Sequence, residues 1–135
     1  MSQVLGPDIL LAILNFCGEI QGRKRFQKIA YLLKKRQSIQ VPYNFIPYLY
    51  GPYSKALQMD LGFLCSIGLV EERHHDWHYS YSLTKEGVGF LKSRKTKRKS
   101  VFGKIRSSCK QYQKLSTNQL VEMAYKVQEA PKAPS

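Results

Sequence analysis

The apolar positions of this chain change period several times, and those changes divide it into elements. Leu10, Ile13, Leu14 and Cys17 share one face of a helix that opens at Gly6-Pro7-Asp8 and runs to about Cys17-Gly18. Pro7 suits a first helical turn, where its missing N–H costs nothing, and Asp8 complements the positive end of the helix dipole. Gly22 breaks the chain before a second helix, about 23–36, in which Phe26, Ile29, Ala30 and Leu33 form a stripe. Its other side reads as basic, with Lys24, Lys28, Tyr31 and Lys35 aligned. Pro42 and Pro47 bracket the aromatic run Tyr43, Phe45, Tyr48 and Tyr50. Proline excludes a central strand, so an edge strand or extended segment against the core is expected.

The stretch 45–70 reads as the organising centre. Its aromatic entry ends at Gly51-Pro52, Ser54 stands as N-cap, and Leu57, Leu61 and Leu64 repeat at helical spacing. Phe63 and Ile67 widen that apolar side, while Lys55, Gln58, Gly62 and Ser66 lie opposite. Gly68 is a left-handed stop. The period then drops to two: Leu69–Arg73 and His78–Leu83 read as strands, joined at a hairpin tip His74-His75-Asp76-Trp77. Thr84 caps a fourth helix whose Gly87 and Gly89 either weaken it or mark close packing. The basic run 92–114 continues as helix with a thin apolar stripe of Phe102, Ile105, Cys109 and Tyr112. Ser116-Thr117 caps a last helix with Leu120, Met123, Ala124 and Val127 on one side.

These elements predict a mostly α fold with a small β-hairpin wing: a winged helix-turn-helix over 1–95. A basic helical extension follows over 96–115, then a helix over 116–128 that packs on the domain or on a dimer partner. A disordered tail closes the chain over 129–135.

Composition changes this picture mainly through charge. The 135 residues suffice for one domain with its own core, without metal or disulfide. The net charge is +13, and its distribution is uneven. Residues 1–91 carry ten Lys/Arg against seven Asp/Glu, whereas 92–114 carry ten against none. Such a block binds polyanions or serves as a solvated tail, and its density favours nucleic acid. Cys17, Cys65 and Cys109 are odd in number and widely spaced, as free thiols of a reducing compartment are. With no secretory signal and no apolar run long enough to span a bilayer, a cytoplasmic protein is expected, nucleoid-associated if it binds DNA.

Three sequence pieces resemble the YwgA-like proteins and the related Panacea (SocA-like, phage-associated antitoxin) domains. They are the glycine-led Gly22–Leu32 with its Gln27-Lys28-Ile29-Ala30-Tyr31 core, the turn Tyr50-Gly51-Pro52-Tyr53-Ser54, and Leu61 through Ile67-Gly68-Leu69-Val70. Leu115–Tyr125 is similar to a C-terminal helix of that group. The resemblance covers 8–91 and 115–127, and it implies a winged-helix-like α fold with no catalytic residues. It admits neutralisation of a partner protein as readily as DNA binding. The basic 92–114 segment and the basic second helix depart from that pattern, and both departures favour nucleic acid.

Enzyme chemistry finds no support. There is no nucleophile elbow, P-loop or Rossmann glycine pattern, so no cofactor is expected. His74, His75 and His78 cluster around Asp76, but on a hairpin they share a face only if the turn is open, and no metal is expected there. Winged-helix docking assigns the remaining roles. Ser54, Lys55 and Gln58 are the candidates for base edges, and Arg73, His74, His75 and Trp77 belong to the wing. Lys24, Lys28, Lys35, Lys95, Lys97, Arg98, Lys99, Lys104 and Arg106 are the candidates for phosphates. The expected function is charge-dominated binding of double-stranded DNA with modest sequence preference. The alternatives are a protein-interaction module of antitoxin type, using Tyr43, Tyr48, Tyr50 and Tyr53, or an RNA-binding protein. A membrane role is disfavoured by the narrow apolar stripe. A homodimer through 116–127 is a further option.

Overall fold

A helix that is apolar on all sides belongs in the middle of a domain, and α1 (Gly6–Cys17) is such a helix. All residues from Ile9 to Leu14 are buried, not only the one face its spacing predicts. The reason is its neighbours: further helices and the hairpin pack around it from several directions. The centre of the fold is therefore α1, not the 45–70 stretch. The computed structural model describes residues 5–49, 51–95 and 99–129, without the side chains of 95, 99, 128 and 129.

A short strand, β1 (Ile20–Gln21), follows α1 and pairs with β3 (His78–Leu83), which in turn pairs with β2 (Val70–His75). The result is a three-stranded antiparallel sheet in the order β1-β3-β2. At two residues, β1 is too short for any period to announce it. Pairing of β2 with β3 extends to His75 opposite His78, so the tip is the two-residue turn Asp76-Trp77 rather than the four residues expected. His74 and His75 are strand residues.

α2 (Arg23–Lys35) buries every residue from Phe26 to Leu33. The connection after α2 covers the middle of the side predicted to be basic, with Pro52 against Lys28 and Phe45 against Tyr31, so both are inside. The connection from α2 to the next helix, described at 36–49 and 51–54, is anchored where Ile46 and Tyr53 form a β-bridge. α3 (Lys55–Ser66) begins as its sequence indicates: the Ser54 hydroxyl accepts the Leu57 N–H at 3.2 Å. It ends at Gly68, whose φ of 82° an L side chain would resist. Leu57, Leu61 and Leu64 are buried. Phe63 and Ile67, expected to widen that buried side, instead face solvent.

Thr84 caps α4 (Lys85–Lys95) through its hydroxyl, which accepts the Gly87 N–H at 3.0 Å. Gly87 marks close packing, since a Cβ there would lie 2.1 Å from the Leu69 carbonyl oxygen. At the far end of α4, Arg94 binds the buried Asp8 carboxylate through Nε and Nη2 at 3.0 and 2.9 Å, tying α4 to α1.

The basic segment is not a pendant extension. α5 (Lys99–Tyr112) buries Phe102, Ile105, Cys109 and Tyr112 against α1 and α2. α6 (Thr117–Glu129) starts with a reciprocal capping box between Ser116 and Gln119 and packs Leu120 and Ala124 onto α2 of its own chain. Of the tail predicted to be disordered, residues 130–135 lie outside the described residues, and Glu129 ends α6. Together these elements make a helical domain with a hairpin wing.

Candidate functional site

The base-reading set predicted on α3 does not present itself to solvent as a set. Ser54 is 1% exposed. Its hydroxyl caps the helix, its N–H donates to Gln27 Oε1 at 2.8 Å, and its carbonyl accepts from Gln27 Nε2 at 2.9 Å. Ser54 is thus a joint between α2 and α3 and cannot reach a base. Gln58 is half-buried, and its Oε1 has no hydrogen-bond partner. Lys55 alone of the three is exposed. The outward side of α3 is instead made by Met59, Phe63 and, just past its end, Ile67, which are 65, 56 and 51% exposed. They recur every four residues, so they form one apolar ridge.

On the wing, basic side chains lie beside acidic ones. Arg73 pairs with Glu71 through Nε, and His74 Nε2 lies 3.0 Å from Glu72 Oε1. His75 stacks on His78 with ring centroids 4.6 Å apart, and its Nε2 lies 3.0 Å from the Ser80 hydroxyl. No group of three or more His, Cys, Asp or Glu among the described residues could hold a metal ion. Trp77, at the tip, is 88% exposed. An exposed indole on a hairpin tip is available for stacking.

The predicted phosphate contacts fall into separate groups. Lys24 and Lys35 on α2 are exposed. Lys28 is buried, its ammonium donating to the Pro52 carbonyl at 2.8 Å, so it cannot sit on a nucleic-acid backbone as expected. Burial, with Lys24 adding repulsion, pushes its pKa down to about 8. Gly51 lies against it: a Cβ there would be 3.0 Å from Lys28 Cε, and the φ of +98° disfavours a side chain in any case. Lys104 and Arg106 are exposed on α5, with Lys110 on the same helix and Lys92 and Lys114 flanking it. Lys95 and Lys99 belong to α4 and α5 by their backbone, while Lys97 and Arg98 lie outside the described residues.

Beside Lys28 is a cavity of about 150 Å³, walled by Arg23, Lys24, Gln27, Lys28, Tyr48, Gly51 and Tyr53. The interior is almost entirely ring and alkyl carbon. The Tyr48 and Tyr53 rings stand 5.3 Å apart at 32°. Arg23 is held at its edge: Nε donates to the Tyr81 hydroxyl at 3.1 Å, and the guanidinium lies 4.1 Å over the Tyr79 ring. In the sequence the α2 cations and the aromatic run are separate features. Their shared signal is that the turn 50–54 and the start of α2 are both among the pieces that carry the family resemblance. The aromatic patch itself is divided, with Tyr43 buried, Tyr53 half-buried, Tyr48 exposed and Tyr50 outside the described residues. The Tyr43 hydroxyl donates to Asp60 at 2.6 Å; burial first, and then that carboxylate, push its pKa up.

Among the described residues no helix is long and apolar enough to cross a membrane. No protein-family model matches the chain. The chain is similar to YwgA of Bacillus subtilis (strain 168), an uncharacterized protein, with 38% identity over 87 residues. The matched region covers 61% of this chain and 51% of YwgA, so the chain spans about half the length of that curated relative. This similarity supports a YwgA-like relationship, in keeping with the resemblance carried by the sequence pieces.

Proposed function

We propose that the protein binds nucleic acid, duplex DNA in the first instance, through the outer side of α5 and its flanks, by charge rather than by base reading. The observation that carries this reading is the composition of α5. It buries an apolar stripe, presents Lys104, Arg106 and Lys110 outward, and lies in a segment with ten basic residues and no acid. Lysine and arginine at that density bind phosphates by releasing counterions, whatever the sequence. As a winged helix-turn-helix the domain is unusual. Its α2–α3 connection is residues 36–54 rather than a turn of about 3–4 residues, and of the three base-reading candidates on its third helix only Lys55 is exposed, beside a ridge of carbon. Weak sequence preference follows from both features.

The test uses intact protein, because α5 is part of the core. Binding to random-sequence duplex is measured from 50 to 200 mM salt for the parent and for Lys104→Gln/Arg106→Gln/Lys110→Gln. Three lost phosphate contacts should flatten the slope of log affinity against log salt by about 2.7. An unchanged slope, or no binding at the lowest salt, overturns the reading.

A second reading rests on the α3 ridge. Met59, Phe63 and Ile67 are large, exposed and contiguous, which suits a protein partner. The antitoxin-type alternative of the Panacea group would use this face rather than the tyrosine patch. Pull-down of a partner by the parent, but not by Phe63→Ser, supports it.

A further inference from the structure

The cavity between α2 and the turn 51–53 is not used by the charge-driven contact on α5. Its walls are carbon: the Tyr48 and Tyr53 rings and the stems of Lys24, Lys28 and Arg23. Its rim carries two exposed cations, Arg23 and Lys24, which open α2; Glu72 lies 4.0 Å from the Arg23 guanidinium and leaves the rim with a net positive charge. Such a site suits a flat π system joined to an anion. The volume of about 150 Å³ admits one ring system and excludes anything of the size that fills a ligand pocket of about 300 Å³ or more. The polar groups on its inner wall, those of Gln27 and Lys28, are already engaged. Both ends of the Gln27 amide bind the Ser54 backbone, and the Lys28 ammonium binds the Pro52 carbonyl. An occupant is therefore gripped by its face and its charge, with its edge unread.

We infer that this cavity takes an unstacked nucleobase, without preference among bases, while Arg23 and Lys24 hold the adjoining phosphate. The inference rests on the nucleic-acid reading but adds single-stranded or locally opened strands to its substrates. Tyr48 is the stacking surface, since it is 58% exposed and lies alongside Tyr53. Base–aromatic stacking tolerates any sequence, because every base has a π face.

The experiment compares a mixed-sequence single strand of six nucleotides with an abasic strand of the same length, by fluorescence anisotropy on the full chain. Stacking of one base is worth at least a fivefold gain in affinity, on the order of the aromatic contributions found in single-strand binders. Tyr48→Ala should erase the gap between the two strands, and Tyr48→Trp should restore it. Because Tyr48 is exposed, neither substitution threatens the fold, and circular dichroism checks that. Equal affinity for the base-bearing and abasic strands overturns the inference, as does a gap that survives Tyr48→Ala. Tighter binding of a short acidic peptide bearing phenylalanine, with no gap between the strands, also overturns it and reassigns the cavity to a protein ligand. Duplex DNA, whose bases are stacked, is measured alongside. If duplex binds and the strands show no gap, the cavity inference fails alone; if no nucleic acid binds, the α5 reading fails with it.

Discussion

α3 and α5 have similar lengths, and each buries a stripe of one side, Leu57, Leu61 and Leu64 in one and Phe102, Ile105, Cys109 and Tyr112 in the other. Their outer sides are opposites. α3, the helix that winged-helix docking would send into a groove, turns out Met59 and Phe63, with Ile67 just beyond. α5, which the charge pattern presents as an appended arm, turns out Lys104, Arg106 and Lys110 while closing the core over α1. A run of basic residues says where the charge is and nothing of what lies beneath it. A helix needs only about one apolar residue per turn to be nailed to a core, and four in fourteen suffice in α5.

The sharpest way to break this contrast is to ask whether α5 is structural. Ile105→Ala should destabilise the protein by about 2–5 kcal/mol, as truncation of a fully buried isoleucine does, read by urea denaturation. A loss below about 1 kcal/mol would return the segment to the status of an arm. Next in size is the tie that positions the approach to α5. Asp8 is 2% exposed, and Arg94→Ala strands its carboxylate, so a loss of about 3 kcal/mol is expected, somewhat less if water reaches Asp8 past the partly exposed arginine. Asp8→Asn/Arg94→Met should recover much of that loss.

A smaller effect distinguishes the buried lysine from the exposed ones. The Lys28 pKa is lowered in the folded state, so below about pH 8 both states carry the proton and the folded one bears the cost of burying it. As pH rises from about 8 toward 10, the unfolded chain holds more protons and stability increases. Lys28→Met should lack that rise. Buried thiols and tyrosines respond in the other direction, so the quantity to follow is the difference in stability between parent and variant, with a slope below about 1.4 kcal/mol per pH unit. Smallest of all, Met59→Ser and Phe63→Ser should leave stability within about 0.5 kcal/mol and duplex-DNA affinity unchanged. A drop in duplex affinity would place α3 at the nucleic acid after all.

Much of the fold could be read from local signals. Ser54 and Thr84 act as caps, Gly68 as a stop, β3 spans His78–Leu83 as its alternation indicates, and the stripe of α5 is the buried one. Each of these is decided within a few residues. What the sequence could not show depends on distant neighbours. α1 is buried on all sides because three helices and a strand converge on it, and Lys28 and Tyr31 are covered by the connection that follows α2, Lys28 by Gly51 and Pro52 and Tyr31 by Phe45. Phe63 and Ile67 face solvent for a similar reason: their spacing sets them beside the Leu57, Leu61 and Leu64 stripe, but periodicity cannot tell how much of that apolar side has a partner. The cavity beside Tyr48 was illegible because its walls come from α2 and from a turn some twenty-five residues later.

The Gln27–Ser54 pairing has a kinetic consequence. The Ser54 amide belongs to no helix or strand, yet its hydrogen is sealed between a side-chain oxygen of α2 and the first turn of α3. In deuterated water that hydrogen can be replaced only when α3 lifts from α2, so its exchange rate clocks that separation directly. Exchange at Ser54 as slow as in the middle of α2 would define α2, the turn and α3 as a single opening unit. Faster exchange would make α3, with its apolar ridge, a flap that opens while the rest of the domain stays closed.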